Sequence, residues 1–227
     1  MPEIDFATVV FAVIAVVVAV RLYMTLGTNA QADSEPGPNV VNLRHAPSPP
    51  STTGATPAAA PDDSLRWRGA APAGSPAEAG LKAIAAADPA FDARSFLSGA
   101  LGAYSLIVKG FAAGDVAALS AYLAPEVLQL FSDQIAARKA AGRVASVALI
   151  GAPQASIDTA SLEGGHAHVV VRFVAKLLSA TRDASGALVE GSADDPEGHC
   201  DLWTFARDPA SADPNWILLA TEAVSAV

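Results

Sequence analysis

The chain holds one cysteine, Cys200, in 227 residues, so it cannot close a disulfide within itself. That fits a reducing compartment and excludes a disulfide-stapled secreted scaffold. Basic residues are scarce: 14 Lys and Arg against 23 Asp and Glu give a net charge of −9. Nucleic-acid binding needs clustered cations to neutralise phosphates, so this balance argues against a nonspecific nucleic-acid partner. Aromatics are only 6% of the chain although hydrophobic residues reach 52%, because alanine inflates the second figure. A core can be built, but not a large aromatic one. Also missing are a glycine loop to cradle phosphate, a nucleophile spaced against its base, and carboxylates at catalytic spacing. No catalytic residue and no cofactor is expected, and there is no internal repeat.

What the sequence does have is a long apolar run at its start. From Phe6 to Leu26 the only charge is Arg21, and Val9 to Val20 is uninterrupted. At about 1.5 Å per residue a helix here reaches roughly 30 Å, enough to cross a hydrocarbon core. Phe6, Phe11 and Val20 belong to the expected anchor, with Arg21 snorkelling to the interface beside Tyr23. Glu3 and Asp5 precede the run while Arg21 and Arg44 follow it, so the positive-inside rule puts the N-terminus outside and the rest in the cytoplasm. The rival is a cleaved signal peptide, with Ala30-Gln31-Ala32 as its processing site. Such a peptide wants positive charge before its apolar core, and here that region is acidic.

Three regions are therefore expected: an anchor over 1–28, a linker over 29–79 and one folded domain over 80–227. Nine prolines from Pro36 to Pro76 stand among Ala, Ser, Thr and Gly, a composition that buries too little apolar surface to offset its ordering entropy. One island interrupts it, Leu65-Arg66-Trp67-Arg68, readable as part of the tether or as a contact with anionic headgroups or a partner.

Within the domain a short helix over Leu81–Ala87 stops at Asp88-Pro89. Asp92 then caps a long helix with Phe96, Ala100, Tyr104, Ile107 and Phe111 on one face, ended by Gly114. Asp115 caps a brief helix, and Pro125 opens another that carries Val127, Leu128, Phe131 and Ile135 inward and stops at Gly142. Strands are expected at about Val144–Gly151, Gln154–Leu162, His166–Thr181, Ala187–Val189, His199–Arg207 and Trp216–Ala223. Gly164-Gly165 and Asp183–Gly186 form turns. The last two strands are apolar on both faces and are expected mid-sheet. Helices followed by strands predict an α+β domain on an antiparallel sheet.

Several stretches stand out along the domain: Ala87-Asp88-Pro89-Ala90-Phe91, Phe111-Ala112-Ala113-Gly114-Asp115, Leu123-Ala124-Pro125-Glu126-Val127, Val169-Val170-Val171-Arg172-Phe173, and the terminal Trp203-Thr204-Phe205 and Asp213-Pro214-Asn215-Trp216. In this order and spacing they resemble the Tim-forty-four-like domain family. That family includes the matrix-side anchor of the mitochondrial presequence translocase and smaller bacterial relatives, which also pair an N-terminal anchor with a low-complexity tether. The resemblance implies a cone-shaped fold, similar to nuclear transport factor and cystatin-like proteins, with helices on a curved sheet and a hydrophobic pocket beneath it. It also implies a non-enzymatic adaptor or scaffold at the bacterial inner membrane, with membrane lipid and membrane-associated proteins as partners.

The expected pocket is framed by Tyr104, Phe111, Phe173, Trp203, Phe205 and Trp216. Alternation along the strand from His166 puts His168, Arg172 and Lys176 together opposite the core face. That basic stripe suits an acidic partner or anionic headgroup, or else is a solvated face salted by pairs with Asp158 or Asp201. His166 and His168 would bind metal only if His199, Cys200 or Asp201 completed the set. Two further readings of the same fold are a pocket isomerase or dehydratase, using Asp201 or His199 as base, and a lipid sensor.

Overall fold

A computed structural model describes residues 63–224. The expected anchor, with Phe6, Phe11, Val20, Arg21 and Tyr23, lies outside the described residues, as do Ala30-Gln31-Ala32 and most of the expected linker.

Structure begins ahead of the boundary expected at residue 80. A 3₁₀ turn spans Asp63–Arg66, and helix α1 runs Pro76–Ala87. Pro76 takes the first helical position, where its missing N–H costs nothing. Ser75 Oγ accepts from Glu78 N at 3.1 Å and Glu78 Oε2 accepts from Gly74 N at 2.6 Å. The two side chains thus close both sides of the helix start. The Leu65–Arg68 island is half tied down: Leu65 and Arg68 are exposed, while the two residues between them are held by the domain. Trp67 packs against the core, and the Arg66 guanidinium donates to the carbonyls of Ala85, Asp88 and Phe91. A cation there satisfies the carbonyls at the α1 C-terminus and the turn beyond it.

Helix α2 (Ala93–Ala113) starts where Asp92 accepts from Ser95 N and ends at Gly114, whose φ of 71° is left-handed. Gly114 N bonds Phe111 O and Asp115 N bonds Gly110 O, a Schellman closure. Helix α2 is long and apolar enough to cross a membrane by length and composition. Here it is the core helix: Phe96, Ala100, Tyr104 and Ile107 are buried along one face. The one-turn helix α3 (Val116–Leu119) follows, and α4 (Pro125–Ala140) completes the helical layer.

Six strands follow: β1 (Val144–Leu149), β2 (Gln154–Glu163), β3 (His166–Arg182), β4 (Leu188–Gly191), β5 (Glu197–Arg207) and β6 (Ile217–Val224). They form one antiparallel sheet in the order β1-β3-β5-β6, with β2 and β4 also pairing β3. The β2–β3 hairpin turns on Gly164 and Gly165, both at positive φ, as a two-residue turn of primed type requires. Strand β5 lies between β3 and β6, as its two apolar faces demand. Strand β6 is the outermost strand, not an inner one. Its Leu218 gains cover from the α3–α4 connection instead, donating to Tyr122 O at 2.8 Å and accepting from Ala124 N at 2.9 Å.

The core is the layer between helices and sheet. Odd-numbered β3 residues from Ala167 to Leu177 are buried, with Trp203, Phe205 and Leu218 beside them. Antiparallel partners share a face, so Phe173 pairs Asp201 and Val171 pairs Trp203 on the helix-covered side.

Candidate functional site

Five of the six aromatic residues expected around one pocket divide between two cavities. The first, about 400 Å³, lies between α2, α4 and the β1–β3–β5 part of the sheet, and Tyr104, Phe111 and Trp203 line it. The second, about 460 Å³, is lined by Phe205 and Trp216 together with Phe91, Phe96 and Tyr122. Phe173, fully buried, lines neither. It stacks on Tyr104 with ring centroids 4.5 Å apart and meets Trp203 edge-on at 5.4 Å. From there the contacts run through Phe205 to Phe96 at 5.9 Å, and from Phe96 to Trp216 at 4.6 Å. This continuous aromatic wall separates the two spaces.

The first cavity has the mixed lining of a ligand site. Ile107 and Val108 from α2, Phe131 from α4, Val147 from β1 and Leu177 from β3 supply its apolar body. Its polar end comes from β5, where alternation carries His199, Asp201 and Trp203 onto one face. Tyr104 Oη donates to Asp201 Oδ2 at 3.0 Å. Burial pushes the Asp201 carboxyl above the usual carboxylate range, opposed by the Tyr104 hydrogen bond and by His199. Burial first, then the Asp201 charge, pushes the Tyr104 phenol far above its ordinary value, so it stays a donor at any working pH. His199 Nε2 is sealed from solvent and has no hydrogen-bond partner. Arg138, also in the lining, donates through Nη2 to Phe111 O and Ala112 O at 2.8 and 2.9 Å, and its guanidinium lies 5.3 Å from the Phe111 ring centroid.

The raised Asp201 pKa has a sign that can be tested. The native state holds this proton to higher pH than the unfolded chain does, so Asp201 costs stability as pH rises through its folded pKa. The groups facing it are Tyr104 from α2 and His199 on its own strand. Asp201→Asn is expected to stabilise the domain at neutral pH, the gain vanishing in acid where the wild-type carboxyl is protonated. Urea unfolding across that range checks it; equal effects at both ends would contradict the sign.

The sheet's other face carries the remaining candidates. Arg172 donates to Asp158 at 2.8 Å and to Cys200 Sγ at 3.6 Å. Asp158 meets it because a β-bulge inserts this residue between Ile157 and Thr159. Asp201, the other acid weighed as a partner for the stripe, faces inward. Burial lowers the His168 pKa, with His166 adding to the effect and Glu163 opposing it, so His168 is neutral at pH 7. At neutral pH the stripe is thus Lys176 and an already paired Arg172. His166 and His168 stand on the opposite face from His199 and Asp201, so the strand geometry does not converge them on a metal. Sequence reasoning missed Arg138, Ser179 and Thr181 as cavity residues. No local pattern marks them.

The domain's sequence matches the family model described as the Tim44-like domain over residues 77–223. Among solved structures, the crystal structure of the intermembrane space region of the chloroplast protein ARC6 is similar at 16% identity and a TM-score of 0.41, covering 57% of this chain and 97% of that one. No curated protein matches the sequence.

Proposed function

The chain belongs to the Tim44-like domain family, and from that premise we propose that it is a non-enzymatic adaptor that binds partners at a membrane surface. The observation that carries this reading is the first cavity, about 400 Å³ with a largely apolar lining. It suits an apolar side chain, the apolar face of an amphipathic segment or a lipid tail better than it suits turnover. The apolar run from Phe6 to Leu26 supports a membrane position, with the domain on the cytoplasmic side. A catalytic alternative draws on Asp201 and His199, but neither holds a nucleophile against a base, and the pairing of Asp201 with Tyr104 is equally that of a polar anchor for a bound ligand.

Filling the cavity tests the proposal. Val147→Trp places a large ring in the space from β1 and is expected to remove most crosslinks between the full chain and its neighbours in native membranes. Crosslinking mass spectrometry compares the variant with wild type, and circular dichroism confirms that the fold persists. An unchanged crosslink set would sink the cavity as the binding element.

A further inference from the structure

The first cavity is unbalanced in charge, and this deepens the reading just proposed. Arg138 is the one Lys or Arg among its described lining residues. Its guanidinium is already committed to the Phe111 and Ala112 carbonyls and the Phe111 ring, and lies in the field of Glu190. Three carboxylates, Asp195, Glu197 and Asp201, line the β5 side. Asp201 is the deep one. Its only hydrogen-bond donor among the described residues is the Tyr104 hydroxyl, and no cation pairs with it.

Beside it His199 Nε2 is buried with no partner. A part-buried carboxylate with one donor and no cation is costly to the apoprotein, and a ligand donor in the cavity relieves it. The rings of Tyr104 and Trp203, with centroids 4.8 Å apart, stand next to Asp201, and aromatic faces favour a cation further.

We propose that this cavity binds an amphiphile with an aliphatic body and a primary ammonium head, the head paired with Asp201. The body lies along Ile107, Val108, Val147 and Leu177. A carboxylate head would meet three like charges, and an alcohol would leave Asp201 uncompensated. A quaternary ammonium carries no N–H for Asp201, whereas a primary ammonium carries three. The proposal rests on the cavity being a binding site, and its test separates the two ideas.

The full chain labelled with 5-fluorotryptophan and held in nanodiscs is titrated with octylammonium, octanol and octanoate, reading the ¹⁹F signal of Trp203 assigned by Trp203→Phe. Octylammonium is expected to shift it saturably, at least about ten-fold more tightly than octanol or octanoate. Asp201→Asn should weaken octylammonium about ten-fold and leave octanol unchanged. Octanol or octanoate binding as tightly as the amine, or an amine affinity untouched by Asp201→Asn, overturns the ammonium assignment. If octanol still binds and Val147→Trp removes it, the cavity survives as a binding site without that head-group preference. If none of the three moves Trp203, both readings fall together.

Discussion

Gly80→Ala is expected to destabilise the domain by about 3 kcal/mol, a large effect for one methyl group. Gly80 lies in α1, where the helix crosses β2 so closely that a Cβ would stand 1.9 Å from Ala160 O and 2.3 Å from its carbonyl carbon. These are main-chain atoms of a strand laddered to β3, Ala160 pairing Val169, so they cannot swing aside as a side-chain tip would. Either α1 lifts off β2 or the strand buckles. Gly102 in α2 is the control, because nothing lies within 4 Å of its Cβ position. Gly102→Ala should therefore stabilise by up to about 1 kcal/mol, through helix propensity and a less flexible unfolded chain. Urea unfolding of both variants gives midpoints on opposite sides of wild type; shifts in one direction would refute the close crossing. Since α1 contributes no residue to the first cavity, the folded fraction of Gly80→Ala should keep whatever that cavity binds.

Much of the fold is legible because its punctuation is local. Asp92, Asp115 and Pro125 each begin a helix by a mechanism confined to three or four residues, and Gly164-Gly165 fixes the β2–β3 register as far as the bulge at Asp158. The alternation from Ala167 to Leu177 identifies the buried face of β3 because a strand leaves no other choice.

What escaped is long-range. The segment before residue 80 reads as linker from its Ala and Pro content, while its order comes from Arg66 reaching carbonyls 19 to 25 residues away and from Trp67 on the core. The division of five of the six aromatics between two cavities depends on where the Phe173 and Phe205 rings stack, which no spacing reveals. Arg138 joins the first cavity through Phe111, 27 residues earlier. His199 and Asp201 were within reach: the parity that pairs Trp203 with Phe205 also carries them inward. A polar residue in such a series marks a buried polar site.

Breaking the Asp88–Arg207 pair is expected to cost about 3–5 kcal/mol, the penalty of leaving one buried charge uncompensated. Asp88 ends α1 and Arg207 ends β5, 119 residues apart, and Asp88 Oδ2 accepts from Arg207 Nη1 at 2.7 Å. The two side chains are only 7% and 12% exposed, so solvent does little to screen them. The pair also organises its surroundings. Asp88 Oδ1 accepts from Ala90 N at 2.9 Å, fixing the turn into α2, and Arg207 Nε donates to Asp213 O at 3.2 Å, holding the β5–β6 loop that carries Trp216. Arg207 itself lines the second cavity. Asp88→Ala should therefore loosen both loops together and leave the guanidinium without its carboxylate. Arg207→Met removes the charge but strands the carboxylate. The double variant should be less damaging than the sum of the single ones, because neither charge is then left alone. A double-mutant cycle by urea unfolding measures this coupling, and hydrogen exchange at the Ala90 and Phe91 amides reports the turn separately. Additive single effects would mean that the helix start and the last hairpin are held independently. A strongly coupled cycle, persisting at high salt as a buried pair must, would identify one ion pair as the clasp between the first helix of the domain and its final strands.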